Sequence, residues 1–247
     1  MRVVGRPTVA WALPLVALAL VAAPAHAQFG RLRRAIERVQ GGPSPEIRAL
    51  VARIDATRTL FDRASALLLR STYVMEASVA TEERRAAIRR ELAAVDSLEK
   101  RGGDNRVQLN AQDRTAMLEQ ATAQRQFEGR KLSEAQQRNV ANAGYNSVLA
   151  VLMDRYALDE AEHILGEAQQ AAQNIAGDPL QLVYYNRLRD AFTRDLPAIV
   201  KAVPQQIQLA SAINNSIQQV RSANQAVQVT EATARTDPPR PIDINAI

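Results

Sequence analysis

Residues 44–101 read SPEIRALVARIDATRTLFDRASALLLRSTYVMEASVATEERRAAIRRELAAVDSLEKR, and no Gly or Pro follows Pro45 until Gly102. Ser44 is a helix cap, Pro45 fits the first helical position, and Glu46 puts an acid in the first turn. Ile47, Leu50, Ile54, Thr57, Phe61, Ala64 and Leu68 step by three and four alternately, the spacing of a heptad seam. After Met75 the phase slips, and Ile88, Leu92, Val95 and Leu98 form a second seam that does not continue the first. Thr81-Glu82-Glu83 can cap a new helix at the slip, so a bend within residues 71–82 is expected rather than one straight rod. Lys100-Arg101-Gly102-Gly103 is a stop, with cations in the last turn and glycine beyond it.

The same signals continue down the chain. Asn110 can cap a shorter helix carrying Met117, Leu118, Ala121 and Phe127. Ser133-Glu134-Ala135-Gln136 has the form of a capping box and opens a long helix through Val140, Ala143, Val148 and Tyr156. Asp159 to Glu162 offers a second box, which predicts a fresh helix ending at Gly177, and Asp178-Pro179 predicts another start. Pro197 and Pro204 are expected to segment the chain once more. The last predicted helix, Pro204 to Val229, repeats Ala210, Ile213, Ile217, Val220, Asn224 and Val227 at heptad spacing with Arg221 as its only charge. Past Thr230 the Pro-containing stretch reads as disordered.

Leu132-Ser133-x-x-Gln136 is similar to the Leu-Thr-x-x-Gln motif of small helical periplasmic chaperones, with Ser for Thr, a resemblance that implies a helical cradle for unfolded clients. It spans five residues, which the capping box also accounts for.

Composition narrows the chemistry. Arg2 and Arg6 precede an apolar run from Val9 to Ala23 that closes on Ala25-His26-Ala27, the pattern of a cleaved secretory signal. A cut after Ala27 leaves 220 residues with no cysteine, no tryptophan and His163 as the sole histidine. Thiolate nucleophiles, thiolate metal sites and disulfides are therefore excluded. Loss of Arg2 and Arg6 lowers the formal net charge from +5 to +3, too mild for a nucleic-acid face. The charge is uneven: residues 31–70 hold nine arginines, while residues 154–178 hold six acids against Arg155. Such opposite runs can dock two parts of one chain or two subunits head to tail.

Few residues recommend themselves for catalysis. Glu160-x-x-His163 is the one spacing with a metal-site precedent, but the second imidazole of such centres is missing. No Gly-x-Ser-x-Gly elbow and no phosphate-binding glycine loop occurs. The sharper functional feature is the basic amphipathic piece with Phe29, Leu32, Ile36 and Val39 on one face and Arg33 and Arg34 interleaved, suited to an anionic membrane or a partner. The uncharged seam Ala210, Ile213, Ile217, Val220, Asn224 and Val227 is the candidate for self-association.

The sequence thus predicts an all-α chain, an elongated antiparallel bundle with coiled-coil-like seams. Its parts are a signal (1–27), a basic segment and linker (28–43), a helical domain (44–230) and a disordered tail (231–247). It is expected to be exported, periplasmic or secreted, to need no cofactor and bind no nucleic acid, and to work through contacts with a protein partner or itself. The competing expectations are a binding module for an apolar ligand or unfolded client, with Phe61, Met75, Met117, Phe127 and Met153 around a pocket, and a metal enzyme using Glu160 and His163.

Overall fold

The computed structural model describes residues 43–101, 109–124, 126–127, 131–178 and 181–247. The expected signal, and the basic face Phe29, Leu32, Arg33, Arg34, Ile36 and Val39, lie outside the described residues. Residues Pro43–Ile247 form one compact unit. Its elements are α1 (Pro45–Val79), α2 (Glu82–Arg101), α3 (Ala111–Ala123), α4 (Glu134–Ile175), α5 (Leu182–Asp190), a π-helical turn (Ala191–Asp195), α6 (Leu196–Ala223) and a 3-10 turn (Ile244–Ala246). No strand occurs among the described residues, so the class is all-α. None of the described helices is long and apolar enough to cross a membrane.

Local capping chemistry places several boundaries. The Ser44 hydroxyl accepts the Ile47 N–H at 3.3 Å and Pro45 opens α1. The chain breaks at Ala80-Thr81, where the Thr81 hydroxyl accepts the Arg84 N–H at 3.4 Å. Asn110 caps α3 through the Asp113 N–H. The Ser133–Gln136 box is closed in both directions, at 3.3 and 3.1 Å.

Three sequence expectations are corrected. Asp159 to Glu162 starts no helix, because α4 runs unbroken from Glu134 to Ile175 with Ala157, Ala161 and Ile164 buried across that stretch. It stops where Gly177 takes a left-handed φ of 87°. Pro197 and Pro204 do not segment the chain either. α5, the π turn and α6 are contiguous, and the Leu196 N–H reaches back to the Ala191 carbonyl. That wide turn immediately before Pro197 gives its ring room, and the apolar burial of α6 outweighs the hydrogen bond lost at Pro204. Finally, the last helix ends at Ala223, not Val229: Asn224 leaves helical geometry, and its side-chain oxygen accepts the Leu132 N–H at 3.2 Å.

α1, α4 and α6 form the centre. α4 runs antiparallel to α1, since Arg53 meets Glu160 and Glu167 while Ser71 donates to the Ala143 carbonyl. α6 runs parallel to α1, with Arg58 at Asp195 and Ser65 at Gln206. α2 folds back along α1, pairing Arg84 with Glu76 and Arg70 with Asp96. The buried apolar residues fall into two clusters. One contains Leu68, Met75, Leu92, Leu149 and Ile213; the other contains Ile54, Ile164, Leu188 and Val203. Arg53 realises part of the charge complementarity read from the sequence, at 2.8 Å from Glu160 and 2.9 Å from Glu167. Its exposure keeps that pair of bridges to roughly 1 kcal/mol.

Candidate functional site

Residues 231–247 were expected to be disordered. They carry no helix beyond the 3-10 turn, yet they lie along the bundle in a specific register. The reason is a set of asparagines. Asn139, Asn142 and Asn146 follow the i, i+3, i+7 spacing of one α4 face. Asn146 accepts the Arg240 N–H at 2.8 Å and donates to the Arg240 carbonyl at 2.8 Å. Asn142 donates to the Pro241 carbonyl at 2.7 Å. Asn139 accepts the Asp243 N–H at 2.9 Å and donates to the Asp243 carbonyl at 2.8 Å.

The match is geometric. Seven helical residues rise ~10.5 Å, and three extended residues cover ~9–10 Å. The tail therefore runs antiparallel to α4 and presents one peptide group to each amide in turn. A primary amide has a donor and an acceptor side by side, so it pairs with an extended residue as a neighbouring strand would. Where the tail has proline, which lacks an N–H, the amide facing it uses only its donor. Asn139 and Asn146 are 3% and 1% exposed, so these bonds satisfy amides that would be costly to leave unpaired under the tail. Each bond contributes ~1 kcal/mol net.

Side chains hold the rest of the strap. Arg240 lies over the Tyr145 ring at 4.2 Å, and Arg235 lies over the Tyr156 ring at 3.3 Å. The Asp237 carboxylate accepts the Thr233 and Ala234 N–H groups at 2.9 and 3.1 Å, which pulls its pKa below the usual carboxylate range. Ile247 is buried beside Val74, Ala77 and Val140, and its main-chain oxygen accepts from Arg89 at 3.0 Å. Upstream, Val229 crosses α4 at Gly144, where a Cβ would meet the Val229 side chain at 3.0 Å and Ile217 at 3.1 Å. A larger residue there would require both side chains to give by a few tenths of an ångström.

Between strap and bundle lies a partly open cavity of about 300 Å³, bounded by Leu67, Arg70, Leu92, Asp96 and Asn146 on one side and by Pro239 to Ile242 and Ile244 on the other.

The residues singled out from the sequence sit elsewhere. Glu160 is engaged by Arg53, and His163 is exposed, with Nδ1 2.7 Å from the Asp159 carbonyl. Among the described residues no group of three or more His, Asp and Glu side chains could hold a metal ion. The proposed self-association seam is consumed within the chain: Ala210, Ile213, Ile217 and Val220 are buried in the first cluster against α1, α3 and α4. Asn224 caps α6 and Val227 is buried in the same cluster. The five residues expected around a ligand pocket are divided between the two apolar clusters. Phe61 packs with the second cluster, whereas Met75, Met117, Phe127 and Met153 belong to the first. The asparagine face escapes sequence reasoning although its spacing is visible there, because its partner lies about a hundred residues away.

A second buried polar group lies where the two clusters meet. Asp154, Gln206 and Ser65 are 0%, 3% and 4% exposed. The Gln206 side-chain amide lies between the Asp154 carboxyl, at 3.0 and 3.2 Å, and the Ser65 hydroxyl, at 2.7 Å. Burial pushes the Asp154 pKa up to about 8. Arg58 and Asp195 form a neighbouring pair at 2.8 Å on the π turn.

Comparison with protein-family models, curated proteins and solved structures finds no match to this chain.

Proposed function

We propose that this protein is an exported, non-enzymatic helical binding protein that works through protein–protein contacts, its binding surface being the α4 groove gripping an extended polypeptide. The observation that carries the reading is the Asn139–Asn142–Asn146 ladder, which bonds five main-chain groups of one extended segment. Reading backbone rather than side chains suits a surface for stretched chain, as in strand addition. Export rests on the N-terminal sequence pattern, and the periplasm or the cell exterior is the compartment it implies.

The test uses the full-length chain with Ile244→Asp and Ile247→Asp, changes that eject its own tail. A fluorescent peptide of residues 234–247 binds this protein in anisotropy titrations with micromolar affinity. Binding falls at least tenfold when Asn139 and Asn146 are also changed to Ala. A peptide that binds neither protein, or both equally, removes the groove reading.

A further inference from the structure

The tail leaves part of its groove unfilled, and the shape of the gap describes a better occupant. The partly open cavity of about 300 Å³ is bordered on the tail side by Pro239 to Ile242 and Ile244. Its floor is apolar at Leu67 and Leu92, while Arg70 and Asp96, paired at 2.5 Å, supply a polar edge. An apolar cavity of about 150 Å³ suffices to hold benzene, so this one has room for an aromatic ring. Tyrosine or tryptophan meets both requirements, with an apolar body against the leucines and a donor directed at Asp96. Pro239 and Pro241 are the compact tail residues bordering that space. Neither contributes an N–H to the asparagine ladder, so replacing either disturbs none of its bonds.

We propose, resting on the reading of the α4 groove as a peptide-binding surface, that the tail is a displaceable placeholder. The groove's tighter occupant is an extended segment of another protein, antiparallel to α4, carrying Tyr or Trp at the position of Pro239 or Pro241. The in-cis tail holds the groove through its tether, which gives it a millimolar-range effective concentration. A partner must outcompete that advantage, and filling the cavity supplies the means. Weak partners are thereby screened out.

The unmodified groove is tested in the full-length chain. Because the sequence has no cysteine, Asn245→Cys labelled with an environment-sensitive dye reports release of the tail. Peptides of residues 234–247 are added with the native sequence, with Pro239→Tyr or with Pro241→Tyr. One of the Tyr peptides displaces the tail at a concentration at least tenfold below that of the native peptide. Leu92→Phe in the protein, which occupies the cavity, brings the two within about threefold. Equal potency of all three peptides overturns the proposal, as does failure of any to displace the tail. Concentration-dependent dimers that exchange native tails overturn it too, in favour of a second copy as occupant. The Ile244→Asp, Ile247→Asp protein separates the cases: if it binds the native peptide while the tail of the unmodified chain resists every competitor, the groove stands and only displacement fails.

Discussion

Asp154 is a carboxyl at zero exposure in the centre of a helical bundle, and its energetic consequence runs opposite to that of a surface acid. Its folded pKa of about 8 lies above the ordinary value. The folded state therefore holds a proton that the unfolded chain has released at neutral pH. Stability is greatest below the unfolded value near 4 and falls as pH rises toward about 8. Asp154→Asn keeps a carbonyl oxygen, replaces the buried O–H with an N–H donor opposite the Gln206 amide, and stays neutral at every pH. It is expected to raise the melting temperature at pH 7.5 by roughly 5–10 °C, on the order of a few kcal/mol, and to change it little at pH 4. Thermal melts across that range check it; an equal shift at both values assigns the effect to packing instead. Asp237 has the opposite sign. Its lowered pKa means that its contacts with Thr233 and Ala234 hold above the usual carboxylate range and are lost as pH falls through its own value. Acid is thus expected to loosen the strap before the bundle, seen as rapid amide exchange at Thr233 and Ala234.

At the scale of elements, the strap and α4 depend on each other. The Arg240 and Asp243 N–H groups, held by Asn146 and Asn139 at 2.8 and 2.9 Å, are expected to exchange slowly with solvent. Asn139→Ala with Asn146→Ala releases both, and hydrogen exchange followed by NMR reads this directly. Gly144→Ala acts on the same element from beneath. Its added methyl must displace the Val229 or Ile217 side chain, at a cost of ~1–2 kcal/mol. Protection at Arg240 and Asp243 surviving both substitutions would mean that Ile247 and the Tyr145 stack alone hold the tail.

For the molecule as a whole, two apolar clusters share α1, α4 and α6 and meet at the Ser65–Gln206–Asp154 layer. Long helices passing through both clusters couple them mechanically, while the polar layer interrupts their apolar continuity. Leu68→Ala in one cluster and Ile164→Ala in the other are each expected to cost ~2–4 kcal/mol. Because the sites belong to different clusters, the double variant should show the sum in urea denaturation. A double variant that unfolds in two separated transitions would mean that the clusters are independent units.

The sequence by itself determined what is local. Hydroxyl caps at Ser44, Thr81 and Ser133, an unbroken three-and-four apolar rhythm, and the absence of strand patterning specify helices and the all-α class, because those signals act within one or two turns. It misjudged features in which a local signal competes with burial: the acidic start at Asp159 and the prolines at 197 and 204 read as breaks, yet long apolar faces carry the helices through them. What only the tertiary structure decided is long-range. The Pro-containing tail has its large apolar residues only at its end, Ile242, Ile244 and Ile247, and no helical periodicity, so alone it lacks the interactions to offset its own ordering. It is ordered because amides on α4, brought to its side by the packing of α1, α4 and α6, supply the hydrogen-bond partners that its extended backbone cannot supply to itself. The candidate site is likewise a property of that packing: three asparagines near the middle of the chain acquire a meaning only once residues 240–243 lie across them.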